Sequence, residues 1–140
     1  MPPSKEDLRR ALARHFECWN ARDREGWIAL FDPSVTFDDP VGVPTKRGLE
    51  AARRQWDASN TPGQAWTIDA RLAYYRGDEA AVVVGNRGVV GDERFDFETI
   101  EVWKLGPNGK FVAVRGYYDP PAAVDDYFKG PDDQRARGAS

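Results

Sequence analysis

The stretch Thr36-Phe37-Asp38-Asp39-Pro40-Val41-Gly42 sets two adjacent acids between an apolar run and a proline. Strand alternation puts Val35, Phe37 and Asp39 on one face and Thr36 and Asp38 on the other, so only the second acid follows the apolar side. Further along, Phe95, Phe97, Thr99, Glu101, Trp103 and Leu105 share a face opposite Arg94, Asp96, Glu98, Ile100, Val102 and Lys104, which leaves Glu101 among apolar neighbours. A carboxylate taken out of water is costly unless it is hydrogen-bonded, paired or protonated. Acids kept in such surroundings are suited to accepting and donating protons. The plainer alternatives are a turn at Asp39, before proline and close to Gly42, and a strand position at Glu101 whose side chain reaches solvent. His15 poses a similar choice. It falls in the apolar stripe with Leu12 and Trp19 rather than with Arg9, Arg10 and Arg14, either as a satisfied core residue or as a pocket group. Asn86, in the alternating set Val82, Val84, Asn86, Gly88, is directed inward or half exposed at a strand end.

The elements that must position these groups follow from periodicity and punctuation. Ser4 and Asp7 form an S-x-x-D cap, and Leu8, Ala11, Leu12, His15, Phe16 and Trp19 then recur at helical spacing, predicting a helix from residue 4 to about 20. Trp27, Leu30 and Phe31 predict a shorter helix, capped by Asp23 and ended near Pro33. Leu49, Ala52 and Trp56 predict a third, between Gly48 and the breaker Asn60-Thr61-Pro62-Gly63. Segments 64–76, 79–90, 93–105 and 110–119 are β-rich and separated by Gly-containing turn signals, an antiparallel meander. Helices first and strands later predict an α+β domain with helices covering one face of a sheet. That domain spans residues 1–128, and the polar segment 129–140 reads as a loose tail.

With 140 residues the chain supports one core. A formal net charge of −3 provides no electrostatic footprint for nucleic acid. No run approaches the roughly 18 apolar residues of a membrane span, and Met1–Arg10 lacks an apolar signal segment, so a cytoplasmic protein is expected. A single Cys18 and a single His15 make an internal disulfide, a zinc site or a haem site poor readings, and neither metal nor cofactor is expected.

The order of these pieces resembles the ketosteroid isomerase branch of the nuclear-transport-factor-2-like (SnoaL-like) superfamily. The residues that carry it are Asn20-Ala21-Arg22-Asp23, Gly26-Trp27-Ile28-Ala29-Leu30-Phe31 and Asp39-Pro40-Val41-Gly42, supported by Gly109-Lys110 and Arg115-Gly116-Tyr117-Tyr118, over about residues 6–119. The resemblance implies a cone, a strongly curved sheet closed by helices around a deep apolar pocket. It implies Asp39 as the general base that moves a proton through a dienolate. Glu101 then occupies the place of a protonated aspartic acid that donates to the oxyanion. His15 stands where the isomerases carry the tyrosine that is the principal donor, and a neutral imidazole can donate from one nitrogen. Trp19, Phe37, Trp56, Phe97, Trp103 and Tyr118 would line the pocket together with Asn86, with Gly88 leaving room on one wall, for a bulky hydrophobic ketone of steroid type. Tyr117, Arg115 and Tyr75 fall on the opposite sheet face, where the superfamily often dimerises. The superfamily also holds polyketide cyclases, dehydratases, epoxide hydrolases and non-enzymatic binders, so a cyclase or dehydratase and a non-catalytic carrier of an apolar molecule stand as alternatives.

Overall fold

A computed structural model of the chain describes residues 2–119. The boundary expected at residue 128 and the tail 129–140 lie outside the described residues. Three helices, α1 (Lys5–Asn20), α2 (Arg24–Ile28) and α3 (Gly48–Ser59), pack on a sheet of six strands: β1 (Phe31–Asp38), β2 (Lys46–Arg47), β3 (Gln64–Arg76), β4 (Glu79–Val90), β5 (Glu93–Leu105) and β6 (Phe111–Tyr117). The strand order is β2-β1-β6-β5-β4-β3, with β1 parallel to β6 and every other pair antiparallel. The expected α+β architecture is present. Among the described residues no helix is long and apolar enough to cross a membrane.

The start of α1 is set by its sequence. Ser4 accepts from the Asp7 backbone while the Asp7 side chain accepts from the Ser4 backbone, a reciprocal cap of the kind that stabilises a helix by about 1 kcal/mol. Of the predicted stripe, Leu8, Leu12, His15 and Trp19 are buried and Ala11 and Phe16 pack partly buried against the core, with Cys18 buried beside them. Asn20 then ties the helix to the sheet, its amide donating to the Ile68 carbonyl (2.8 Å) and its oxygen accepting from the Ile68 N–H (2.9 Å). Arg22 turns the chain with a left-handed φ of 59°, and Asp23 caps α2 by accepting from the Gly26 N–H.

Two expectations are corrected. The second helix stops at Ile28 instead of running toward Pro33, and Phe31 opens β1. Phe111 donates its N–H to the Leu30 carbonyl (2.9 Å) and Phe31 pairs with Phe111, so β6 claims the backbone that a longer helix would need. Pro33 is tolerated because the β1–β6 register is interrupted between Phe31 and Thr36. Tyr75 lies on the helix-covered side, packed against the core with Arg9 over its ring, and not on the outer face. A register shift between Ala70 and Leu72 swaps the parity of β3, so Trp66 and Ile68 point inward before it while Ala73 and Tyr75 do so after it.

Candidate functional site

The helices and the concave side of the sheet enclose a cavity with about 70 Å³ open to the centre of a water molecule, several times the ~10–15 Å³ that one water occupies. His15, Asp39 and Glu101 all line it, from α1, the residue that follows β1 and the middle of β5. Asp39 reaches the cavity by the alternation seen in the sequence: Val35 and Phe37 are buried on its side, while Asp38 faces the other way and accepts from Thr45. Gly116 on β6 makes room for it, since a Cβ there would lie 2.5 Å from Asp39 Oδ1.

Each of the three groups has a defined electrostatic setting. Burial raises the Asp39 carboxyl above the usual range, tempered by a hydrogen bond from Tyr118 and by the Lys46 charge. Gln55 on α3 also donates to Asp39 Oδ2 at 3.0 Å and orients it. Burial and then the nearby Asp39 charge push the Glu101 carboxyl up to about 7, against hydrogen bonds from Trp103 and Thr99 that favour its ionised form. Those bonds are Trp103 Nε1 to Oε1 (2.9 Å) and Thr99 Oγ1 to Oε2 (3.1 Å). Burial holds the His15 imidazole at about 3, so it is neutral at ordinary pH. Its tautomer is also determined: Trp27 Nε1 donates to Nδ1 at 2.8 Å, which leaves the single ring proton on Nε2. Nε2 has no partner among the described residues.

Of the other residues expected at the pocket, Trp19, Phe37, Asn86, Phe97, Trp103 and Tyr118 line the cavity. Asn86 acts on its own wall: its amide donates to Thr99 Oγ1 (3.1 Å), which makes the Thr99 hydroxyl an acceptor there and directs its proton to Glu101. Trp56 is not among the lining residues. Its indole is 5 % exposed and packs edge-on to Trp19 of α1 and tilted against Trp27 of α2. Nor does Gly88 leave open space. The Trp66 ring, cross-strand from it on β3, occupies that room, with the nearest ring atom 2.3 Å from where a Cβ would sit.

Residues not foreseen complete the lining, among them Trp27, Gln55 and Trp66. Trp27 belongs to a motif visible in the chain, but its indole meets His15 only through the turn between α1 and α2. Gln55 sits one residue before Trp56, and the periodicity of α3 marked only its apolar side.

The Asn86–Thr99–Glu101 chain makes a separable prediction. Thr99→Val removes a hydrogen bond that favours the ionised carboxyl, so the Glu101 midpoint is expected to move upward from about 7. Carbon-detected NMR titration of labelled glutamate, assigned with Glu101→Gln, reads the shift, and an unchanged or lowered midpoint would contradict it.

Comparison with known proteins places this geometry in context. The family model described as a SnoaL-like domain matches residues 12–114. Epoxide hydrolase LasB of Streptomyces lasalocidi is 36% identical over 84 residues, 59% of this chain but only 30% of LasB, so the likeness spans less than a third of that relative. Steroid Delta-isomerase of Nocardioides simplex is 23% identical over 114 residues, 81% of this chain and 91% of the isomerase. A solved Mycobacterium tuberculosis protein in complex with estradiol-17beta-hemisuccinate superposes with a TM-score of 0.72 at 21% identity, covering 81% of this chain and 94% of that one.

Proposed function

Because the chain belongs to the SnoaL-like domain family, whose matched region carries His15, Asp39 and Glu101 at the cavity, we propose that it is a cofactor-independent isomerase acting on a bulky hydrophobic ketone. Asp39 serves as the base. It takes a proton from the carbon beside the carbonyl, the electrons move toward the carbonyl oxygen, and the same proton returns to a more distant carbon of the dienolate. His15 Nε2–H and protonated Glu101 donate to the oxygen as its charge grows. The observation that carries this reading is that Asp39, Glu101 and the free N–H of His15 face one cavity, with Glu101 held protonated up to about pH 7. Trp103 connects the two donors: its ring lies 4.1 Å from that of His15 and its N–H binds Glu101. Mixing the purified protein with a β,γ-unsaturated ketosteroid and following conjugated-enone absorbance tests the reading, and a rate no greater than that of Asp39→Asn would sink it.

The likeness to the epoxide hydrolase LasB favours a second reading, a cyclase-like enzyme in which acid–base opening of an epoxide closes a ring. There Asp39 takes the proton of an attacking hydroxyl, the new carbon–oxygen bond forms as the epoxide carbon–oxygen bond breaks, and Glu101 protonates the departing oxygen. Consumption of a hydroxy-epoxide without any enone formation would select it. Binding of both probes with turnover of neither would indicate a carrier.

The outer sheet face is proposed as a homodimer interface. Leu72, Val83, Ile100 and Tyr117 lie in direct cross-strand register over β3, β4, β5 and β6, with Leu72 50%, Ile100 51% and Tyr117 44% exposed. A continuous apolar row of this kind marks an interaction surface, and the same patch on a second copy matches it by two-fold symmetry. Ile100→Glu is expected to halve the sedimenting mass while leaving the circular dichroism spectrum unchanged. A monomeric native protein would refute the proposal.

A further inference from the structure

Among the described residues, the indole N–H of Trp19 is buried and has no hydrogen-bond partner. Other indoles around the cavity have internal acceptors: Trp27 donates to His15 (2.8 Å), Trp103 to Glu101 (2.9 Å) and Trp66 to the Gln64 side chain (2.6 Å). Trp19 follows His15 by one helical turn on the buried stripe of α1, and both line the cavity. Their ring centroids are 6.5 Å apart. The residue is only 7 % exposed and His15 only 3 %, so bulk solvent does not satisfy either donor. A desolvated donor without a partner is unfavourable, and such atoms mark places where something else accepts the hydrogen bond. Neither atom has alternative chemistry, since an indole N–H only donates and His15 Nδ1 is already occupied by Trp27.

We propose that Trp19 Nε1–H is a second ligand-binding donor beside His15, and that the pair selects molecules presenting a carbonyl or ether oxygen at this end of the cavity. This inference rests on the reading of the cavity as a small-molecule site and specifies what the ligand must carry. The apolar rings supply affinity for a hydrocarbon skeleton of any kind. The two N–H groups discriminate, because a skeleton without the oxygen leaves both unsatisfied. Trp19 is therefore a specificity residue, and the packing of its ring against Trp27 (5.2 Å) and Trp56 (5.0 Å) holds the N–H in place.

The test compares androstenedione, a diketone, with androstane, the same ring skeleton without oxygen, each delivered in the same co-solvent. In the native protein labelled with nitrogen-15 at tryptophan, the Trp19 indole resonance, assigned by its loss in Trp19→Phe, is expected to move downfield with androstenedione and to stay within its free position with androstane. Trp19→Phe is expected to weaken androstenedione binding about tenfold while changing androstane binding less than twofold. An indole resonance unmoved by the diketone, or equal losses for both probes, would overturn the assignment. Because the resonance is read in the native protein, a folding defect in the variant does not protect the proposal. If enone turnover fails while the Trp19 resonance responds, the isomerase reading falls and the donor assignment stands; if turnover succeeds while the resonance is silent, the reverse holds.

Discussion

Asp39→Asn is expected to reduce enone formation by a factor of roughly 100 to 10,000, the range a positioned general base supplies, with little change in the affinity for a product ketone. The substitution preserves shape. Gly116 leaves space for the side chain, and the remaining amide oxygen can still accept from Gln55. It removes a carboxyl whose charged form burial already disfavours, so the folded state should lose no stability. Stopped-flow or steady-state absorbance measures the rate and equilibrium fluorescence measures the affinity. A variant with native turnover would remove Asp39 from the mechanism, and a variant with lost affinity and unchanged turnover would make it a binding group.

The second large effect concerns Glu101 and pH. Its carboxyl titrates near 4.5 when unfolded and at about 7 when folded, so the folded chain holds the proton where the unfolded chain has released it. The stabilising contribution of this group is complete below about 4.5 and is lost as pH rises through 7, a change on the order of 3 kcal/mol. His15 acts in the opposite sense. Its folded value of about 3 lies below the ordinary 6.5, so it contributes stability above 6.5 that is lost as pH falls toward 3. The two slopes oppose each other between about 4.5 and 6.5, and the native protein alone would mask both.

Glu101→Gln isolates one of them. An amide has a single acceptor oxygen for the two donors Thr99 and Trp103, which adds a cost independent of pH. Relative to the native protein, the variant should therefore gain on the order of 3 kcal/mol in urea unfolding between pH 4 and pH 8. Turnover should carry the same signature. The native rate is expected to fall about tenfold per pH unit above 7 as Glu101 loses the proton it donates, and this limb should vanish in Glu101→Gln. Parallel stability curves for the two proteins would show that Glu101 does not retain its proton in the folded state.

Much of the site could be read from local pattern. Alternation alone turned Asp39 inward and Asp38 outward, and the same rule put Thr99, Glu101 and Trp103 on one wall. Helical spacing brought His15 and Trp19 to a common stripe, and the Ser4–Asp7 cap marked the first residue of that helix. These features depend on the two backbone periods and on caps within a few residues, so the chain carries them without reference to its partners. The correspondence with the isomerase pattern added roles for Asp39 and Glu101 that alternation does not contain.

What local pattern missed has a common cause. The β3 bulge that turned Tyr75 inward and the Trp66 ring lying over Gly88 arise from pairing of β3 with β4, and the loss of helix after Ile28 arises from pairing of β1 with the distant β6. Trp56 belongs to the cavity wall by the resemblance, yet its ring packs against the Trp19 and Trp27 rings, and an apolar stripe does not distinguish a cavity wall from packing of this kind.

By itself, then, the amino-acid order determined which side chains share a face with the apolar residues of their element: the period of each element dictates that, and Asp39, Glu101 and His15 follow from it. Only the tertiary structure decided what those side chains meet. Whether His15 carries its proton on Nε2 depends on Trp27 arriving from the next helix, and whether Glu101 holds a proton to about pH 7 depends on burial and on Asp39 approaching from another strand. Face-sharing within an element is a property of one segment's periodicity, whereas burial, protonation and hydrogen-bond direction are properties of the surroundings made by all of them together.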